Sequence, residues 1–213
     1  MEHISETDIT TPPPPELTLG ILAGGRATRL GGRDKAWLRR GGVPQVLRWT
    51  RRWAGQAGTV LVSANRDLDR YREAGILTVV DEAQPAACEA TPASASLGPI
   101  AGLAALARAC TTPWLLTLPV DLVDINDCLL PSLAAAGGQG AWAEDDDGPQ
   151  PLVALWRADA LRKAAVAAIA AEEFAVHRLQ ARLGMAGVRL AGVRFGNLNT
   201  PADLAAAGFD RHD

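Results

Sequence analysis

Residues 17–38 read LTLGILAGGRATRLGGRDKAWL. From Leu17 to Ala23 the run is apolar and β-prone, without the polar alternation of a half-buried strand, so it predicts a central strand of a parallel sheet, buried on both faces. Gly24 and Gly25 end it and require a sharp turn. A strand that stops at a glycine pair lets backbone N–H groups close around phosphate oxygens, because no Cβ intervenes. Arg26, Arg29 and Lys35 then supply cations suited to a polyphosphate. The turn has neither the G-x-x-x-x-G-K-[ST] spacing of a P-loop nor the G-x-G-x-x-G of a dinucleotide turn, and a plain tight turn is the alternative to a triphosphate cradle.

Outward from this stretch, strands and helices alternate. Pro44 to Ala54 predicts a helix, and Thr59 to Ala64 and Ile76 to Val80 predict short buried strands. Residues 82–98 (EAQPAACEATPASASLG) carry no sustained period and predict a long surface loop. A helix follows over 98–110, opening on Gly98-Pro99. PWLLTLPVD (113–121) predicts a strand ending in a carboxylate. The second half predicts a helix at 126–136, strands near 140–144 and 151–156, and an Ala-rich helix at 159–173. A short helix at 176–184, stopped by Gly184, and a last strand at 188–195 complete it. The fold class is therefore α/β: a mostly parallel sheet with helices on both faces, which binds ligands at the carboxyl ends of its strands.

With 213 residues the chain has the length of one substantial domain. The segment MEHISETDITTPPPPEL is acidic and proline-rich without an apolar h-region. We therefore expect a disordered leader at 1–16 and a single domain at 17–208. The formal net charge is −3, with basic residues crowded into 26–52. That pattern favours a local anion site over a nucleic-acid surface, while Arg39, Arg40, Arg51 and Arg52 fit a solvated helix face. Cys88, Cys110 and Cys128 include no Cys-x-x-Cys pair, so no disulfide framework or zinc site is expected. No stretch has the length of a membrane span, and a cytoplasmic setting fits.

The string Leu22 to Lys35, LAGG-x-x-x-R-L-G-G-x-D-K, resembles the nucleotidyltransferase signature in the form found in molybdenum cofactor guanylyltransferases. Sugar-nucleotide pyrophosphorylases usually follow a similar start with Pro-Lys, where this chain has Asp34-Lys35. Further resemblances are VSANR (62–66), Val80-Asp81, GPIAG (98–102), Pro119-Val120-Asp121, Gln150-Pro151-Leu152 and NLNTP (197–201). Ser63 stands where family members can carry Asn, and Val123 replaces a proline often found two residues after the metal Asp. The loop at 82–98 is also longer than the family leads one to expect.

The resemblance implies a Rossmann-like three-layer α/β/α fold of the nucleotide-diphospho-sugar transferase type. It implies transfer of GMP from GTP to the phosphate of molybdopterin, or of Mo-molybdopterin, with Mg²⁺. Catalytic residues would be Lys35, Asp121 and Arg29, with Asp121 the metal ligand. Nucleotide contacts would come from Leu22, Ala23, Gly24, Gly25, Lys35, Ser63, Asn65, Asp81, Gly98 and Asp121, and acceptor contacts from Gln150, Pro151, Asn197 and Asn199. Upstream molybdenum-insertion proteins and acceptor molybdoenzymes are the implied protein partners.

Each residue also has a plainer reading. Asp121 could cap the following helix, Lys35 could be a surface lysine, and Arg29 could brace its loop. Asp81 could cap a turn, and N-x-N-T-P makes a good helix entrance. AEDDDG (143–148) reads as a solvated hairpin loop, and His177 and Arg178 as a surface helix face rather than a pterin contact. Two rival functions stand beside the main one: a CTP-dependent or sugar-phosphate nucleotidyltransferase, and a non-catalytic nucleotide-binding module.

Overall fold

The computed structural model describes residues 11–24, 34–81 and 97–210. Its sheet grows outward from β1 (Leu17–Leu22), in which every residue is buried. In chain order there follow a hairpin of β2 (Arg39–Arg40) and β3 (Val43–Pro44), α1 (Gln45–Trp53), β4 (Thr59–Ser63), α2 (Leu68–Glu73), β5 (Thr78–Val79), α3 (Pro99–Ala109) and β6 (Trp114–Pro119). The remainder is α4 (Leu129–Ala135), β7 (Gly140–Asp145), β8 (Gly148–Arg157), α5 (Ala158–Ala170), α6 (Val176–Arg182), β9 (Ala186–Arg189) and α7 (Pro201–Ala206).

The main sheet has seven strands in the order β5-β4-β1-β6-β8-β7-β9. Only β8 runs against its neighbours; the β5-β4-β1-β6 half is parallel throughout. Alternate side chains of β1 serve the two faces. Leu17, Leu19 and Ile21 join Val46, Trp49 and Trp53 of α1 and Leu129, Leu130 and Leu133 of α4 in one core cluster. Leu22 joins Ile100, Leu103 and Leu106 of α3, Leu161 of α5 and Leu179 of α6 in the other. The expected three-layer α/β/α arrangement follows.

Gly20, in the middle of β1, brings α3 close. A Cβ there would stand 2.9 Å from Leu106 Cδ1, so the glycine makes room for the Leu106 side chain. Burying a leucine of this kind contributes roughly 1.5–3 kcal/mol. Where the sheet changes direction, the buried Thr117 hydroxyl accepts from Trp156 Nε1 (2.8 Å) and donates to Leu152 O (2.8 Å), so the β6–β8 seam leaves no polar side chain there unpaired.

Several expected boundaries change. The last strand covers 186–189 rather than 188–195, because the chain turns at Gly192 (φ +76°) and crosses toward the segment after β6. The strands expected near 140–144 and 151–156 extend into a continuous hairpin, β7–β8, turning at 146–147. The α2 helix and the β2–β3 hairpin were not anticipated. Arg51 and Arg52 are exposed on α1, Arg52 pairing with Asp127, whereas Arg39 and Arg40 belong to the hairpin.

Within the expected leader, Pro14–Glu16 forms a 3₁₀ turn, and Pro14 O accepts from Gly58 N at 2.6 Å. Residues 1–10, Gly25, Arg26, Arg29, Cys88 and most of the predicted loop 82–98 lie outside the described residues. Cys110 is a buried and Cys128 an exposed free thiol. No helix among the described residues is long and apolar enough to cross a membrane.

Candidate active site

The register of the parallel strands fixes where the site forms. Leu22 pairs with Ser63 on one side and Pro119 on the other, so β1, β4 and β6 end at the same edge. Their exits stay tied beyond the strands: Ala23 N donates to Ser63 O (2.9 Å), Val120 N to Leu22 O (3.0 Å) and Ala64 N to Val79 O (3.0 Å).

On the β4 side, Asp81 gathers the polar groups. Its Oδ1 accepts from the buried Ser63 hydroxyl (2.5 Å) and its Oδ2 from Asn65 Nδ2 (2.7 Å), while Asp81 N donates back to Asn65 Oδ1 (2.9 Å). Two glycines stand against this group. A Cβ on Gly24 would lie 3.2 Å from Asp81 Oδ2. One on Gly102 of α3 would lie 2.8 Å from Ser63 Oγ and 2.9 Å from Leu22 Cδ2. Gly102→Ala should therefore push Ser63 off Asp81 and, with this corner meeting the nucleotide as the resemblance implies, weaken nucleoside triphosphate binding by about tenfold, since overpacking of this size costs ~1–3 kcal/mol. Titration calorimetry checks this, and unchanged affinity would mean that the nucleotide does not use this corner. Gly98, at the start of α3, adopts φ +62° and ψ −152°, a region essentially reserved for glycine.

On the β6 side, Lys35 Nζ donates to Asp121 Oδ2 (2.8 Å) and to Asn199 Oδ1 (2.9 Å). Lys35 opens a 3₁₀ turn, Lys35–Trp37, capped by Asp34, whose Oδ1 accepts from Ala36 N. Trp37 anchors that turn: it is buried, lies 4.9 Å from the Tyr71 ring centroid, and carries the Arg70 guanidinium over its ring. Burial pushes the Asp34 carboxyl above the ordinary Asp range, against the Ala36 N–H and the Arg66 and Arg70 charges.

Asp121 is held through its neighbours. Buried Gln45 donates Nε2 to Leu122 O (2.6 Å), Trp49 Nε1 donates to Val120 O (3.3 Å), and Leu198 N donates to Asp121 O (2.8 Å). Neither Gln45 nor Trp49 was read as a site residue. The signal was available: Gln45 shares the helical face of Trp49 and Trp53, a polar side chain in an apolar stripe.

Residues 195–199 form a strap antiparallel to 121–124. Phe195 O accepts from Val123 N and Asp124 N (both 3.1 Å), and Leu122 and Asn197 form a β-bridge. The strap leads into α7 through a capping box between Thr200 and Asp203. Hydrogen bonds from Thr200 and the Asn199 N–H, together with the Lys35 charge, hold the Asp203 carboxyl below the ordinary range. N-x-N-T-P is thus a helix entrance, and its Asn199 also reaches Lys35.

Gln150 is not among the hydrogen-bond partners described for Lys35; it gives Nε2 to Asp145 Oδ1 (3.2 Å). Pro151 O accepts from buried Gln180 (2.7 Å). The acidic run 143–148 is not uniformly solvated, which corrects the expectation: Asp145 is buried completely. Burial by itself would raise its pKa, but hydrogen bonds from Phe195 N, Gln150 and the Asp147 and Gly148 amides outweigh it and hold the carboxyl below the ordinary range. His177 and Arg178 are exposed on α6, as the plainer reading expected.

A strand-end edge with a lysine–carboxylate pair, a small-residue exit and a second carboxylate dressed with Ser and Asn defines a class: α/β enzymes that transfer a nucleotidyl group from a nucleoside triphosphate. Comparison with known proteins narrows it. The model of the MobA-like NTP transferase domain matches residues 19–185, and the chain belongs to that family. The molybdenum cofactor guanylyltransferase of Burkholderia vietnamiensis (strain G4 / LMG 22486) is 36% identical over 206 residues, covering 90% of this chain and 95% of that one. That of Ralstonia nicotianae (strain ATCC BAA-1114 / GMI1000) is 38% identical over 146 residues, covering 65% and 67%. The crystal structure of molybdopterin-guanine dinucleotide biosynthesis protein A from Archaeoglobus fulgidus superposes with a TM-score of 0.65 at 18% identity, covering 90% and 96%, and supports the fold. Nucleotidyltransferases of this kind generally use a divalent metal.

Proposed function

We propose that this chain transfers GMP from GTP to the terminal phosphate of molybdopterin, or of its molybdenum-loaded form. An acceptor phosphate oxygen attacks the α-phosphorus, the bond to the bridging oxygen of the β-phosphate breaks, and pyrophosphate leaves with that electron pair. The observation that carries the reading is Lys35 Nζ, which joins the strand-end carboxylate Asp121 to Asn199 of the strap. A cation bonded to both a strand-end carboxylate and an amide of the strap supports a reading in which the phosphates of two substrates meet beside it.

In this reading Leu22, Ala23, Gly24, Gly25 and Gly98 line the nucleotide, with Lys35 and Arg29 against its phosphates. Ser63, Asn65 and Asp81 meet the base or ribose. Each Asp81 oxygen accepts one hydrogen bond from Ser63 or Asn65 and has a second lone pair for a guanine N1–H or N2–H₂ donor. Gln150, Pro151, Asn197 and Asn199 meet the acceptor. Asp121 would hold Mg²⁺, and its fit is chemical: Lys35 already places a positive charge at Oδ2, and Mg²⁺ is commonly held by one or two carboxylates plus substrate phosphates. The ion would neutralise triphosphate charge as pyrophosphate departs. Residues 17–208 would act as one domain in the cytoplasm, exchanging substrate and product with molybdenum-insertion proteins and molybdoenzymes.

The test is conversion of molybdopterin with GTP, CTP, ATP or UTP and Mg²⁺. A site built for the guanine donors should prefer GTP over CTP by about 30-fold or more, since acceptors left unpaired by the wrong base cost ~2 kcal/mol. Equal use of CTP would overturn the base assignment.

A further inference from the structure

We propose that Asp145 is a positioning residue for the acceptor half of the site, holding the Gln150 amide and the 195–199 strap in one fixed relation. Its role toward the acceptor rests on the guanylyl-transfer reading above. Asp145 has no accessible surface, and its carboxylate is met by neutral donors. A charge buried in that way is costly, and a solvated turn does not require it. Its two oxygens divide the work. Oδ1 accepts from Asp147 N (3.0 Å) and Gln150 Nε2 (3.2 Å), both on the β7–β8 hairpin; Oδ2 accepts from Phe195 N (2.9 Å), where the strap begins.

Both ends of this bridge lead to the acceptor side. From Phe195 the strap runs along 121–124, donates Leu198 N to Asp121 O, and ends at Asn199 against Lys35. At the other end, a carboxylate can only accept, so Gln150 must present Nε2 to it. That choice turns the Oε1 of Gln150, the atom able to accept from a pterin N–H, to the opposite side of the amide. Asn at 145 would break the arrangement in either orientation: with its NH₂ toward Gln150 it frees that amide to flip and sets an N–H against Asp147 N–H, and with its NH₂ toward Phe195 it sets an N–H against Phe195 N–H. Arg189 braces the same turn differently, donating to Asp145 O (2.6 Å) and Asp146 Oδ1 (2.7 Å) without bonding Gln150 or Phe195. It supplies the control.

The experiment compares full-length wild type, Asp145→Asn and Arg189→Met in steady-state transfer, varying GTP and molybdopterin separately. Asp145→Asn should raise KM for molybdopterin by about tenfold and move KM for GTP by less than about twofold, the scale of one misdirected charge-assisted hydrogen bond. Arg189→Met should lower Tm and leave both KM values within about twofold. Equal shifts of both KM values in Asp145→Asn, or none, would overturn the proposal. If Asp145→Asn does not fold, Gln150→Met decides, because an acceptor KM unchanged in that variant is incompatible with Asp145 acting through Gln150. If wild type makes no dinucleotide from molybdopterin, the functional reading falls, and amide hydrogen exchange without substrate then tests Asp145 itself. Exchange at 195–199 should quicken at least about tenfold in Asp145→Ala, which has no acceptor for Phe195 N, with β1 and β4 unaffected, and unchanged exchange there would refute the bridge.

Discussion

Asp121→Ala should lower the single-turnover rate of guanylyl transfer by about 1,000-fold or more, and leave Tm within a few degrees of wild type. The kinetic part follows from what the carboxylate is asked to do. In the proposed reaction charge builds on the bridging oxygen as pyrophosphate leaves, and a divalent ion anchored by Asp121 would supply several kcal/mol of stabilisation there, each ~1.4 kcal/mol being worth tenfold in rate. The stability part follows from how Asp121 is mounted. Its backbone is tied by Leu198 N, and its neighbours by Leu22 O, Gln45 and Trp49, none of which involves the carboxylate. The one described ion pair it loses is with Lys35, both side chains being partly exposed, and pairs of that kind contribute ~0–1 kcal/mol. Rapid-quench measurement beside a thermal melt separates the two effects. Near-normal transfer would remove Asp121 from the metal; a collapsed melt would make it a structural residue.

Much of this arrangement is legible before any coordinates, and the reasons are local. Leu17 to Leu22 is apolar on both sides of the pleat and stops at glycine, so a doubly covered strand is the one structure that uses every residue. PWLLTLPVD behaves the same way, although the ladder releases it at Pro119 rather than Asp121. Asp121 and Lys35 were singled out as a carboxylate at a strand end and a lysine after a glycine turn, and the structure brings the two together. Asn199 was named through resemblance, and its side chain reaches Lys35.

What escaped was information carried between distant segments. In LDRYRE, the six residues of α2, Tyr71 alone is buried, so no apolar stripe announces a helix. VRLAGVRF has the composition of a strand over its full length, yet it leaves the sheet after Arg189, and Val193 O then accepts from Asp146 N. Asp145 sits among other acidic residues in a run whose composition says surface, and only the fold brings Phe195 N and Gln150 to it. A buried carboxylate paired with amides leaves no composition signal, because two of its partners are backbone N–H groups and the third is a neutral side chain.

Lys35→Ala is expected to slow transfer by about 100-fold, the loss associated with one charge-stabilising donor in an acyl- or phosphoryl-transfer site, while the preference for GTP over CTP stays nearly unchanged. The separation is geometric. Lys35 Nζ lies on the β6 side, bonded to Asp121 and Asn199, whereas the Ser63–Asn65–Asp81 group that would read the base is at the ends of β4 and β5. Phosphate is common to every nucleotide, so an ammonium that sees only phosphate changes both rates by the same factor. The native pairing sharpens the expectation. In the structure Lys35 pairs with Asp121, and in the proposed reaction a metal would share that carboxylate while the ammonium turned to phosphate. Without the ammonium, Asp121 has one fewer competing cation, so Lys35→Ala should bind Mn²⁺ more readily in the absence of nucleotide even as turnover falls. Single-turnover rates with GTP and CTP, together with Mn²⁺ binding by electron paramagnetic resonance, read the three quantities. A selectivity that collapses with the lysine would place Lys35 against the base, and a fall in Mn²⁺ affinity would mean that it supports the metal site instead of competing with it.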